Sequence, residues 1–295
     1  MRIALGPLLY YWPRERVLAF YDAISASAAD IVYLGEVVCS RRHELALDDW
    51  LEIGERLAAA GKEVVLSAQA LTESEGDLKL LRRACANGRF RVEANDWGAV
   101  HCLSGLPGWV AGPHLNVYNP QTAALVASLG ATRWVAPVEA TGTLVTGLLA
   151  ERPPALEAEL FFFGRIPLAL SARCFTARRF NRQKESCGFA CLDFPDGLVL
   201  KTREGHPFLA MNGVQTLSAD VYCLVDELDA VAAAGVEVLR VSPQSRGTPR
   251  ALEVLRAALD GKLSIHDARS ALVQLAPGRL WNGFWYGEAG VPRAA

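Results

Sequence analysis

The sequence lacks several features that would classify it at once. No uncharged apolar segment reaches the roughly 18 residues that a membrane span needs, so no transmembrane helix is expected. The opening "MRIALGPLLYYWPRER" makes a poor secretory leader. Its apolar run is short, carries Gly6 and Pro7, and meets Arg14, Glu15 and Arg16 without a small-residue cleavage site. No GxGxxG follows the first apolar run and no Walker loop occurs, which weakens nucleotide-binding sheets. No GxSxG elbow or other Ser-His-Asp cue is present. Charge of one sign is also missing. Thirty Lys and Arg against 32 Asp and Glu leave −2, so no nucleic-acid partner is expected. A cytoplasmic location is the default that these absences leave.

What is present is a large core. Hydrophobic residues make up 51% of 295 positions and charged ones 21%, a composition and length suited to a single α/β barrel. Short apolar runs recur at 2–7, 31–36, 63–68, 90–96, 115–118, 133–139, 159–170 and 236–243. Several are apolar on both faces, the pattern of buried parallel strands. Amphipathic stretches lie between them, such as "LDDWLEIGERLAAAG" and "SEGDLKLLRRACANG". Gly61, Gly88 and Gly130 close three of these as helix stops. The expected fold is a (β/α)8-like barrel in one domain over 1–295. An insertion at about 192–235, a β-hairpin plus helix, should cover one mouth before the last strand. A loose tail is expected from about 288 to 295.

The cysteines are the most informative residues. Seven is an odd number, and in a reducing compartment thiols serve as packing, ligands or catalysts rather than disulfides. Three of them, Cys174, Cys187 and Cys191, lie in "ARCFTARRFNRQKESCGFACLDFPDG" among five basic residues. Cys39 lies in "LGEVVCSRR", just past the second strand. If the strand assignments hold, all four emerge from loops at the C-terminal ends of strands, where barrels carry their chemistry. Four thiolates together point to a metal, either structural zinc or an iron–sulfur cluster. Zinc usually takes C-x2-C knuckles, whereas here a C-x3-C pair follows a 12-residue spacer. The radical C-x3-C-x2-C pattern fails because Phe194 holds its third position. A 4Fe–4S cluster with four thiolates carries about −2, which Arg41, Arg42, Arg173, Arg178, Arg179, Arg182 and Lys184 are placed in sequence to offset. Against this stands plain burial, since free cysteine packs well in cores. Cys85, Cys102 and Cys223, in helical or apolar runs, keep that assignment. Glu36 and Glu139 end strands and Asn116 lies at the fifth, so these three are candidate catalytic or anchoring groups on the same mouth. His43 and His114 read as surface or satisfied core histidines.

The segment "AGPHLNVYNP" resembles the GP-x-LN-x-x-N stretch of the collagenase-like peptidase family U-32. Within it, "GEVVCSRRHE", the three-cysteine segment, "NGVQTLSA" and "WNGFWYGEAG" are similar to the UbiV type, over nearly the whole chain. The resemblance implies a 4Fe–4S cluster on Cys39, Cys174, Cys187 and Cys191. It implies a heterodimer with a UbiU-like protein and a lipid-binding accessory protein. The implied role is O2-independent ring hydroxylation in ubiquinone biosynthesis, with prephenate as oxygen donor. The sequence itself carries no peptidase machinery. Alternatives are a zinc-stabilised barrel scaffold without redox chemistry, or a peptidase or RNA-hydroxylation relative. The aromatic "LWNGFWYG" at 280–287 is a candidate apolar patch for a partner.

Overall fold

A run apolar on both faces must be covered on both faces, and a closed parallel barrel wrapped in helices does this. In the computed structural model, which describes residues 1–288, such runs form β1 (Arg2–Leu5), β2 (Ile31–Leu34), β3 (Glu63–Ser67), β4 (Arg91–Ala94), β5 (Trp109–Ala111), β6 (Ala131–Val135) and β7 (Glu157–Gly164). Between them lie α1 (Arg14–Ser25), α2 (Leu47–Ala59), α3 (Glu75–Cys85), α4 (Trp97–Leu103), α5 (Pro120–Ser128) and α6 (Gly142–Glu151). The expected tail, beyond Glu288, lies outside the described residues.

The chain then leaves the barrel through β8 (Pro167–Leu170), α7 (Phe175–Arg179), β9 (Leu198–Lys201), β10 (Pro207–Asn212), β11 (Gln215–Ser218), β12 (Val221–Cys223) and α8 (Leu228–Ala233). It returns as β13 (Val238–Val241), followed by α9 (Thr248–Leu259), α10 (Ile265–Leu275) and β14 (Leu280–Trp281). Strands β1 to β7 pair in parallel and in order. Strand β13 closes the ring, matching Val238 to Arg2 on one side and to Glu159 on the other. The eight-stranded (β/α)8-type barrel is therefore as expected. Gly61, Gly88 and Gly130 have φ of 84°, 66° and 109°, the left-handed backbone of a helix stop. No described helix is long and apolar enough to cross a membrane.

Four expectations need correction. The fifth strand is Trp109–Ala111, not 115–118. The latter run follows a 3₁₀ turn, Pro113–Leu115, and Asn116 has φ 56°, which a strand cannot continue through. The run 159–170 is two strands. Gly164 (φ 137°) packs so closely on Ser242 that a Cβ would lie 2.5 Å from the Ser242 Cβ, and the chain turns away there. The insertion is a four-stranded antiparallel sheet, ordered β8-β11-β10-β9, rather than a hairpin. It begins earlier than 192, because β8 supplies an edge; two strands alone are marginal in water, and β11, the most buried of the four, is flanked by β8 and β10. Finally, the 280–287 aromatics are core. Trp281 (3% exposed) pairs β14 with β12, Trp285 packs over Gly142, and of the aromatic rings only Tyr286 is well exposed.

The barrel interior was not foreseen. A small apolar layer of Ala4, Tyr33, Val65, Val110, Val135 and Val238 is joined by buried charge. Arg240 binds Glu159 through Nε (2.5 Å) and Glu93 through Nη2 (2.7 Å), with its guanidinium 4.1 Å above the Tyr33 ring. Arg133, fully buried, binds Glu157 (2.6 Å) and Glu63 (2.8 Å) and donates to the Tyr33 hydroxyl (3.1 Å), which in turn donates to Glu159. A buried ion pair adds little net stability, but removing one partner leaves the other unpaired in low dielectric. Arg133→Leu is expected to cost about 3–5 kcal/mol in urea unfolding. Burial pushes the Glu63 carboxyl up, yet Arg133, Arg91 and Arg2 outweigh it and hold it below its ordinary 4.5. The stability this gives is complete above pH 4.5 and is lost as pH falls through the lowered folded value. Acid unfolding should therefore be less steep in Arg133→Leu than in the wild type.

Candidate metal centre

Two loops on one barrel mouth build the site. After β2 the chain makes a tight turn held by its own side chain: Glu36 Oε1 accepts from the N–H of Val38 (3.0 Å) and Cys39 (3.2 Å), and Arg42 N–H donates to the Cys39 carbonyl (3.0 Å). Arg42 runs back into the protein, almost wholly buried. It donates to the carbonyl of Leu9 (2.7 Å) and Oδ1 of Asn212 (2.7 Å), and lies 3.4 Å from Glu36. The Cys39 turn is thus anchored to the loop after β1 and to the end of β10.

The second loop follows β8. Cys174 caps the short helix α7, its Sγ accepting from the Ala177 N–H at 3.3 Å. Phe175 N–H to Gly213 (2.8 Å) and Gly213 N–H to Thr176 Oγ1 (3.0 Å) pin that helix to the β10–β11 turn. Asn181, Gly188 and Phe189 all have positive φ, and these bends bring the chain back so that Cys187 and Cys191 return beside Cys174. Phe189 tolerates this backbone because its ring is held between His43 (centroids 4.8 Å) and Tyr11 (5.9 Å). Arg41 Nη2 donates to the Glu185 carbonyl (2.7 Å), tying the two loops together.

The result is one cavity lined by Cys39, Cys174, Cys187 and Cys191, with Arg41, Arg42 and Lys184. All four thiols are free. Burial pushes the Cys39 thiol up and that of Cys191 to about 11, with Arg42 opposing both. The Nε atoms of Arg41 and Arg42 are buried without an acceptor, two donors beside the thiols that an anionic group would satisfy. No three His, Cys, Asp or Glu among the described residues gather closely enough to hold a single metal ion. Of the seven cations expected here, Arg173, Arg178 and Arg179 are exposed to solvent, and Arg182 donates to the Cys187 carbonyl instead (3.1 Å).

The remaining candidates separate. Glu36 lies between the loop after β1 and α2, beside Tyr11 and Trp50, and braces the Cys39 turn. Burial pushes its carboxyl up, against Arg42 and the two N–H donors. Glu139 accepts from the Tyr118 hydroxyl and shares a cavity at the barrel mouth with His114 and Asn116. Cys85, Cys102 and Cys223 lie away from the thiol cavity, with Cys85 and Cys223 buried and pushed up to about 12 by that burial. Sequence inspection missed Glu93, Asn95, Arg240 and Ser242 at the mouth. A signal existed for Arg240, the single charge of β13 (Val238–Val241), which burial rarely tolerates without a partner; Glu93 shares β4 with Arg91 and gave none.

The family model for peptidase family U32 matches residues 17–292. The chain belongs to peptidase family U32. The U32 peptidase Mk0906 is 12% identical, with TM-score 0.45 over 82% of this chain and 93% of its own. Dihydropteroate synthase from Thermus thermophilus is 15% identical, with TM-score 0.43 over 87% and 94%. Proteus mirabilis N-acetylneuraminate lyase is 12% identical, with TM-score 0.34 over 91% and 78%. Likeness at this level says nothing of chemistry. In this U32 chain the anchoring of Arg42 makes a direct forecast. Arg42→Met is expected to cost about 2–4 kcal/mol in urea unfolding, because Glu36, Asn212 and the Leu9 carbonyl lose a buried charged donor.

Proposed function

We propose that this U32 chain is an iron–sulfur subunit of the UbiV type. Cys39, Cys174, Cys187 and Cys191 hold a 4Fe–4S cluster, and the chain acts with a UbiU-like partner and a lipid-binding accessory protein. The complex serves O2-independent hydroxylation of a prenylated ring in ubiquinone biosynthesis, with prephenate as oxygen donor. The observation that carries this is the convergence of four free thiols from two separate loops on one cavity, beside two arginine donors that have no acceptor. The donor set fits such a cluster: four soft thiolates, a backbone N–H on one sulfur, and buried positive charge against the cluster's net −2. When bound, the group supplies one-electron redox chemistry or a rigid tie between the loops.

The protein's own residues do the rest. Glu36 and Arg42 hold the Cys39 turn, and Arg41 joins the loops. Zinc in a non-redox scaffold and the peptidase and RNA-linked activities of the wider family have no observation in their favour here. After anaerobic reconstitution, the wild type should carry about four irons and four acid-labile sulfides per chain, with the broad absorption of a cluster. Alanine at Cys39, Cys174, Cys187 or Cys191 should lower both sharply, and alanine at Cys85, Cys102 or Cys223 should not. Stoichiometric zinc without labile sulfide would overturn the proposal. Co-purification with a UbiU-like chain tests the partner separately.

A further inference from the structure

Two thiols outside the metal centre lie against each other on the barrel wall. Strands β3 and β4 pair in parallel, and each is followed by a helix that returns along the outside of the barrel, so α3 and α4 run the same way. The two helices pack side by side. Gly98 faces Leu81: a Cβ built on Gly98 would lie 3.5 Å from the Leu81 Cδ2, so α4 comes close to α3 at this level. Between helices that run the same way, the next level of contact is one turn on along both. One turn after Leu81 is Cys85, and one turn after Gly98 is Cys102.

The thiols themselves register the contact. Burial pushes Cys85 up to about 12, and the Cys102 sulfur adds to this through its charge and a hydrogen bond. Cys85 is 8% exposed, within the core, whereas Cys102 is half-buried at its margin. Solvent therefore reaches the pair through Cys102. Neither thiol takes part in the metal centre. The pair lies at the far end of α3, whose start follows Glu73, the partner of Lys184 in the cysteine loop. Eleven helical residues at about 1.5 Å each set Cys85 roughly 16 Å from that start.

We propose that Cys85 and Cys102 are a redox-active pair, which a low-molecular-weight disulfide oxidises to a reversible disulfide stapling α3 to α4. The Cys102 thiolate attacks one sulfur of the oxidant, and the oxidant's other sulfur leaves as a thiolate. Cys85 then gives up its proton and attacks the Cys102 sulfur, so that the second half of the oxidant leaves as a thiolate in turn. The two protein thiols lose two electrons and two protons, and the oxidant, having taken both, becomes two thiols. A solvent-reached thiol without a neighbour would keep the adduct; Cys85, one helix over, resolves it. The pair goes beyond the proposed function and does not rest on it.

The test is peptide mass spectrometry of the full chain after anaerobic cluster reconstitution, exposure to oxidised glutathione, and alkylation in denaturant. Cleavage after Arg83 and Arg89 puts Cys85 in one peptide, and cleavage after Arg91 and Arg133 puts Cys102 in another, each with no second cysteine. The two peptides should appear joined and lighter than their sum by two hydrogens, with both thiols lost to alkylation and restored by dithiothreitol. In Cys85→Ser, glutathione should stay on Cys102 at a level at least about tenfold above wild type, because nothing resolves it. Both thiols still open to alkylation, equal glutathione on Cys102 in wild type and variant, or Cys85 and Cys102 joined as readily to other cysteines would overturn the pair. Iron and acid-labile sulfide are counted in the same sample, so an unlinked pair beside a full cluster sinks only the pair. A linked pair in a chain that takes up no iron sinks only the iron–sulfur assignment.

Discussion

Arginine buried among carboxylates is the constraint on which this molecule depends. A guanidinium taken out of water has to find acceptors for a rigid fork of donors, and it fixes whatever it finds. Inside the barrel, Arg240 joins β13 to β7 and β4, and Arg133 joins β6 to β7, β3 and β2. Strands distant in sequence are held in one register by those charges, and apolar side chains alone would tolerate a slip more easily. Arg42 repeats the device outside the barrel, where it holds the Cys39 turn to β10 of the inserted sheet.

The thiol cavity is therefore a product of the scaffold. Cys39 belongs to a barrel loop, and the other three thiols to a segment whose position depends on the four-stranded sheet. Strand β8 leads into Cys174, and the β10–β11 turn receives α7. Left-handed backbone at Asn181, Gly188 and Phe189 then folds the long spacer back on itself. The loop's like charges do not scatter it, because Arg41, Arg182 and Lys184 spend their donors on backbone carbonyls and Glu73.

Much of this was legible in one dimension, for a definite reason. Strands buried on both faces leave apolar runs, so β1, β2, β3, β4, β6, β7 and β13 stood out. Strand β5 did not, because three residues make too short a run and "LNVY" nearby imitates one. Local composition likewise singled out the four cysteines that line one cavity, since basic residues lie close to each in sequence. It misplaced the 280–287 aromatics, because the same residues serve a core or a partner, and only neighbours such as Gly142 and β12 distinguish the two.

The sequence by itself determined the alternation of strand and helix, hence the barrel, and the identity of the thiols that emerge on its C-terminal side. These are local properties: periodicity, helix stops and the company a residue keeps over a few positions. Only the tertiary structure decided which charges meet inside the barrel, that β8 leaves the run it shares with β7, and that Glu36 braces a loop while His114, Ser242 and Arg240 face a cleft. Apart from the Glu36 brace, whose partners Val38, Cys39 and Arg42 lie close in sequence, these depend on residues tens to more than a hundred positions apart, as with Arg240 and Glu93, and no local pattern records a partner at that distance.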